Sequence, residues 1–196
     1  MITSYKFMEN KNLKINKIHR SFFSKDAEIV AKNLIGKILV RKINNKEMKA
    51  IIIETEAYYD EKDPSSWARF GKRRDNIHMW NEAGIILVKN VHKYLMLNFV
   101  TGKKGIAEAV LIRAGKPLNF EAKTSGPGLL TSALKIDKTF NGKFIDSLND
   151  FWIEENNLKN NLNEKNEKNK TFEIKTSKRI GVKKDLDKNL RFMLIE

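Results

Sequence analysis

Apolar residues recur at three- and four-residue spacings in "SKDAEIVAKNLIGK" (24–37), where Ala27, Val30, Ala31, Leu34 and Ile35 would share one face of a helix. Ser24 stands where a cap would start that helix and Gly36 where one would end it. The period then shortens. Residues 37–43 ("KILVRKI") and 47–59 ("EMKAIIIETEAYY") read as a pair of strands, with Asn44 and Asn45 as the turn between them. A second hairpin is predicted from 84–90 and 93–100, with its tip at Asn90, Val91 and His92. Another strand centres on 109–114, and a Gly-Pro loop with a short helix occupies 124–137. Residues 139–145 hold a turn, 172–182 alternate like a strand, and 190–196 are apolar enough to close a sheet.

Between these segments, 60–76 is polar, basic and loop-like. Residues 1–18 have no clear period and read as a loose leader. Residues 154–170 ("EENNLKNNLNEKNEKNK") are low-complexity and nearly devoid of apolar side chains, as expected of a surface insertion. Strands outnumber helices and are joined by short turns. The fold class expected is α+β: one compact domain over 19–196, with a largely antiparallel sheet core flanked by short helices.

Polar residues that interrupt apolar strands point to chemistry. In "IIIETEAYYD" (51–60), a period of two puts Glu54 and Glu56 on one face and Ile53 and Thr55 on the other. Neighbouring carboxylates on a half-buried sheet repel each other. Either one has a raised pKa, the raw material of a general acid or base, or both find basic partners. Tyr58 continues on that face and can stack on a flat ligand. Arg113 sits in "AVLIRA" and Asn98 in "LMLNFV", both otherwise apolar runs. A buried Arg requires an anionic partner and a buried Asn requires hydrogen-bond partners. Three such intrusions in three strands suggest one shared polar centre. Gly126 and Gly128 of "GPG" leave room for a backbone to approach a phosphate, although the motif by itself is more often only a turn.

Composition narrows the function. The 196 residues carry 38 Lys and Arg against 24 Asp and Glu, a net charge of +14. That excess favours a polyanion as partner, most simply nucleic acid, although a Lys-, Asn- and Ile-rich chain also reflects codon bias. There is no cysteine, which removes disulfides, iron–sulfur clusters and thiol nucleophiles. The three histidines, His19, His78 and His92, form no metal-ligand spacing, so a histidine-rich metal site is not expected, although carboxylate-bound magnesium stays open; no other cofactor is expected. No apolar run approaches the ~20 residues that cross a bilayer, and a cytoplasmic protein without membrane attachment is the expectation.

Taken in order, "LIGKILVRK" (34–42), "IIIETEAY" (51–58), "DPSSWARFGK" (63–72), "LNFVTG" (97–102), "EAVLIRAGKPL" (108–118), "SGPGLLTSALKID" (125–137), "FNG" (140–142), "KRIGV" (178–182) and "LRF" (190–192) resemble the alkyladenine (3-methyladenine) DNA glycosylases, the monofunctional base-flipping type. The resemblance covers roughly 20–196 apart from the low-complexity insertion. It implies a curved antiparallel sheet, and a monomer acting on nucleoid DNA that contains damaged purines. The implied reaction is hydrolysis of the N-glycosidic bond without a metal or lyase step. Glu56 would activate water, Arg113 and Asn98 would border that water and the sugar, and Tyr58 would stack on the flipped base. Arg73, Arg74, Gly126, Gly128 and Arg179 would face DNA. An alternative is a divergent binder of damaged nucleic acid with little catalysis; a further one is a hydrolase of nucleosides.

The departures from the family pattern fall at the pocket. Trp67 stands where a histidine is usual, and "ILVKNVHKY" (86–94) lacks the hairpin tyrosines of "YVYxxYGMH". By that alignment Val88 replaces a base-stacking tyrosine and Val91 the tyrosine that wedges into the duplex, with His92 as the neighbouring alternative. Leu129 replaces a lysine after "GPG", and "RRDN" (73–76) replaces "TPRN". Trp67 opposite Tyr58 offers a second stacking surface in compensation.

Overall fold

A computed structural model describes residues 16–156 and 173–195. The expected leader up to residue 15 and the insertion from 157 lie outside the described residues. Eight strands and two α-helices are described: α1 (Ala27–Leu34), β1 (Ile38–Ile43), β2 (Lys46–Tyr58), β3 (Ile86–Val91), β4 (Tyr94–Thr101), β5 (Glu108–Pro117), α2 (Pro127–Ala133), β6 (Phe151–Glu154), β7 (Glu173–Ser177) and β8 (Arg191–Ile195). All strand pairings are antiparallel, in the order β3-β4-β5-β2-β1-β6, and β8 joins β2 to β7. The α+β expectation is met, with two helices against a curled antiparallel sheet.

The long strand β2 organises the sheet because it changes neighbour along its length. Its first half pairs with β1 from Lys46 to Ile51, and its second half pairs with β8 from Glu54 to Glu56. Strand β5 runs beside both halves. The register of β2 against β5 shifts between Ile52 and Thr55, which is a β-bulge. In an unbroken strand Ile52, Glu54 and Glu56 would share a face. The bulge reverses that parity. Ile52, Thr55 and Ala57 are fully buried toward the core under α1, where the Thr55 hydroxyl donates to the Ala31 carbonyl at 2.9 Å. Glu54, Glu56 and Tyr58 are thereby turned to the opposite face.

That division continues across the sheet. Ile86 and Val88 of β3, Leu97 and Phe99 of β4, and Val110 and Ile112 of β5 pack with α1 and with Phe23, Phe151 and Phe192 in the main core. Rings of Phe23, Phe99 and Phe151 stack in succession, 5.0 and 6.5 Å apart. The alternate residues of the same strands build the other face. Leu87, Val100 and Ala109 form a smaller core there with Ala68 and Met79, and Trp67 packs against it.

Local expectations fared unevenly. Asn44 and Asn45 both have positive φ, 48° and 62°, the geometry of a two-residue hairpin turn. The cap of α1 is Asp26, whose side chain accepts from the Glu28 N–H, and not Ser24, which instead ends a preceding 3₁₀ turn. Strand β3 extends through Val91, so the second hairpin turns at His92 and Lys93. Residue 154 does not begin an insertion: Glu154 ends the buried strand β6, where it accepts from Lys49 Nζ and Trp152 Nε1. Residues 16–18 run alongside β6, with the Ile18 N–H on the Ile153 carbonyl and the Ile18 side chain in the core.

Candidate active site

Antiparallel registers align one residue from each of four strands in a row. Leu87 of β3 lies opposite Asn98 of β4, Asn98 opposite Leu111 of β5, and Leu111 opposite Glu56 of β2. Above this row opens a cavity of about 350 Å³. Tyr58, Trp67, Lys89, Val91, Asn98, Arg113 and Ile180 are among its lining residues. Its size falls in the range of small-molecule sites and it is mostly apolar with a few convergent polar groups.

Both carboxylates of "ETEAY" find basic partners. Glu54 Oε1 accepts from Arg113 Nε at 2.9 Å and from Arg191 Nε at 2.6 Å. Glu56 is completely buried, and three donors converge on it. The Tyr58 hydroxyl and Arg113 Nη1 donate to Oε2 at 2.8 and 3.2 Å, and the Ile180 N–H donates to Oε1 at 2.8 Å. Arg113 therefore bridges the two acids, which offsets their mutual repulsion. Glu56 does not itself line the cavity, but all three of its donors do. Burial, reinforced by the Glu56 charge, pushes the Tyr58 phenol far above the ordinary tyrosine value, so Tyr58 acts as a neutral hydroxyl. Asn98 lies on the cavity wall and donates to the Met96 carbonyl at 3.1 Å.

A second ionic cluster fixes the first. Arg179 was expected at the DNA surface, but its side chain is entirely buried. It forms a two-point pair with Asp63 at 2.6 and 2.8 Å, binds Asp185, donates to the Ala57 carbonyl, and lies 4.5 Å from the Tyr58 ring centroid. Burial opposes the guanidinium charge, yet the hydrogen bonds to Asp63 and Asp185 outweigh it and raise the arginine pKa. Burial likewise pushes the Asp63 carboxyl up, but Arg179 and the N–H groups of Tyr59 and Ser65 outweigh it and hold Asp63 below the ordinary aspartate value. This cluster ties "KRIGV" to the end of β2 and so delivers the Ile180 N–H to Glu56. It also clamps one face of Tyr58, leaving the cavity side of the ring for a ligand.

The other expected residues divide sharply. Trp67 and Val91 line the cavity. Val88 does not: it points into the main core, because the alternation of β3 gives the cavity Leu87 and Lys89 instead. His92 and the adjacent Lys93 form the exposed hairpin turn, His92 at φ 52°. Arg73 and Arg74 are exposed on the loop that carries Trp67. Gly126 is the backbone cap of α2, and a Cβ there would make an ordinary contact with the Leu129 side chain at 3.9 Å. Gly128 is not free for a phosphate: a Cβ there would sit 2.6 Å from the Tyr94 ring, so the glycine serves helix-to-hairpin packing.

Asp63 and Arg191 escaped the sequence reading because their partners, Arg179 and Glu54, lie more than a hundred residues away along the chain, and Asp185 because its partner Arg179 was expected at the DNA surface. Phe70 also escaped it. Its side chain is 62% exposed, and the guanidinium groups of Arg69 and Arg73 lie 4.4 and 4.9 Å from its ring centroid. A solvent-facing aromatic held between two cations in a basic loop was there to be noticed.

Comparison with known proteins agrees with the geometry. The family model described as methylpurine-DNA glycosylase matches residues 21–196. A protein of Aeropyrum pernix bearing the provisional name 3-methyladenine DNA glycosylase is 35% identical over 178 residues, 89% of this chain and 88% of that one. Proteins with the same provisional name from Clostridium beijerinckii and Borrelia garinii are 35% and 36% identical, spanning 84% and 89% of this chain and 87% and 94% of theirs. The chain belongs to the methylpurine-DNA glycosylase family, hydrolases of the N-glycosyl bond in DNA.

Proposed function

We propose that this chain excises alkylated or otherwise damaged purines from double-stranded DNA after flipping them out of the helix, with Glu56 as the base that takes a proton from water. The observation that carries this reading is the convergence of the Tyr58 hydroxyl, Arg113 and the Ile180 N–H on one buried carboxylate, each donor forming part of the cavity wall. A purine stacked in a duplex is out of reach, so the nucleotide must swing out into such a cavity. The base would lie between Tyr58 and Trp67, and the sugar would sit toward Arg113 and Asn98.

An N-alkylated purine is already cationic and leaves readily. The protein then needs mainly to position a water and to stabilise the positive charge that develops on the sugar. Glu56 Oε2 holds the Tyr58 hydroxyl and Arg113. A water that displaces the Tyr58 hydroxyl would sit on Oε2 beside Arg113. As the glycosidic bond breaks, that water attacks C1′ and passes its proton to Glu56. The net charge of +14, with Arg73 and Arg74 exposed near the cavity loop, supports sequence-independent phosphate binding. Val91 at the hairpin end and Phe70 on the loop are the apolar groups available to fill the gap left by the flipped base.

The test is product analysis after incubating the protein with methylated duplex DNA. The expected products are free methylated purine and an intact strand that breaks only on alkaline treatment of its abasic site. Complete burial of Glu56 favours a second reading, a binder of damaged DNA with little turnover. Tight binding to damaged duplex with no base released from methylated, deaminated or etheno-modified DNA would establish that reading instead.

A further inference from the structure

Lys89 is the residue that the glycosylase reading leaves without a task. It projects from β3 into the cavity between Leu87 and Val91, with its ammonium 5.1 Å from the Trp67 ring centroid. Among the described residues it has no carboxylate partner and no hydrogen bond. Burial, followed by the charge of Arg69, lowers its pKa, with Asp75 opposing weakly. A half-buried ammonium with no acceptor is costly unless a ligand supplies one.

Its place relative to Glu56 identifies the acceptor. Leu87 and Glu56 end a row that crosses four strands. Three strand spacings of about 4.8 Å separate their backbones by roughly 14 Å. Lys89 follows Leu87 on the same face, so it and Glu56 stand at opposite ends of the cavity. A nucleotide with its sugar at Glu56 and Arg113 would turn the far edge of its base toward Lys89. The amine is thus remote from C1′.

We propose that Lys89 donates a hydrogen bond to the far edge of the flipped base and selects neutral purines carrying an acceptor there over cationic N-alkylated purines. This rests on the glycosylase reading. When a neutral purine departs, the electron pair of the broken bond stays on the base, which becomes anionic until it is protonated. The water's oxygen joins C1′ and its proton goes to Glu56. An ammonium beside the departing base is therefore favoured more in the transition state than in the ground state, which raises the rate of the chemical step. A cationic purine departs as a neutral molecule, gains nothing from Lys89, and is repelled as it enters.

The experiment measures single-turnover release of hypoxanthine and of 7-methylguanine from otherwise identical duplexes by wild type, Lys89→Met and Lys89→Arg. Lys89→Met is expected to slow hypoxanthine release by about tenfold or more and to quicken 7-methylguanine release. Lys89→Arg, which keeps the charge, should retain the wild-type preference. Retained 7-methylguanine release also shows that the variant is folded. An equal effect on both bases, or none on either, would overturn the assignment while leaving the glycosylase reading intact. Release of neither base by wild type would overturn both.

Discussion

The two ends of the cavity are built on opposite principles. At the β2 end every charge is held. Glu54, Glu56, Arg113 and Arg191 form one network, and Asp63, Arg179 and Asp185 form another behind it. At the β3 end the wall is apolar, Leu87 and Val91, and its only charge, Lys89, has no anionic partner among the described residues. A network in which each group has several partners cannot lose one without stranding the rest. A wall of independent side chains can change one residue at a time. Of the hairpin departures from the family pattern, Val91 falls on that permissive wall, whereas the acids and arginines fall on the constrained side. On the proposed reading, the reacting end is thus fixed and the base-reading end is free to vary.

The comparison breaks first at its most constrained point. Asp63→Asn leaves the Arg179 guanidinium buried with half of its pairing lost. We expect a loss of stability of roughly 3–5 kcal/mol, lowering the melting temperature by on the order of 10 °C in calorimetry. An unchanged melting temperature would mean that the cluster does not hold the end of β2. Arg113→Met removes the bridge between Glu54 and Glu56, and base release should fall about 100-fold even where the protein stays folded.

Acid should act on the same cluster. Asp63 is held below its ordinary value of 3.8 when folded, so the unfolded chain binds the proton more readily. Its contribution is complete above that value and drains away as the pH falls through the lower, folded one. Chemical denaturation from pH 5 downward should show wild type losing stability and Asp63→Asn losing less. Smaller effects belong to the permissive side. Phe70→Ala should weaken binding to a duplex with an abasic site by about fivefold, near 1 kcal/mol of stacking, with little change in the rate once bound. Arg74→Gln should reduce the salt dependence of duplex affinity by about one phosphate contact.

The same division governs what was legible in the sequence. Helix α1, the Asn44–Asn45 hairpin and the antiparallel sheet follow from local period and turn chemistry, and the chain carried them openly. Glu54, Glu56, Asn98 and Arg113 were visible as polar intrusions in apolar strands; the structure puts Asn98 and Arg113 on the cavity wall and both acids on Arg113. The partners were not visible, because Arg191 reaches Glu54 and Arg179 reaches Asp63 across more than a hundred residues. Nor was the bulge, which decides which face of β2 carries the acids. Val88 illustrates the cost of a one-residue offset in a strand: its neighbours Leu87 and Lys89 occupy the cavity, and Lys89 lay in plain view. Strand β6 was missed because four residues before a low-complexity tract give too short a pattern to read.

The central claim is that the buried carboxylate at the constrained end performs the reaction. The most direct measurement is the single-turnover rate of base release from methylated duplex DNA by Glu56→Gln against wild type, with duplex affinity measured alongside. The account predicts a fall of at least about 100-fold with affinity essentially unchanged. A Glu56→Gln protein that releases base at the wild-type rate would contradict it, and would leave Glu56 as no more than the anion that seats Arg113.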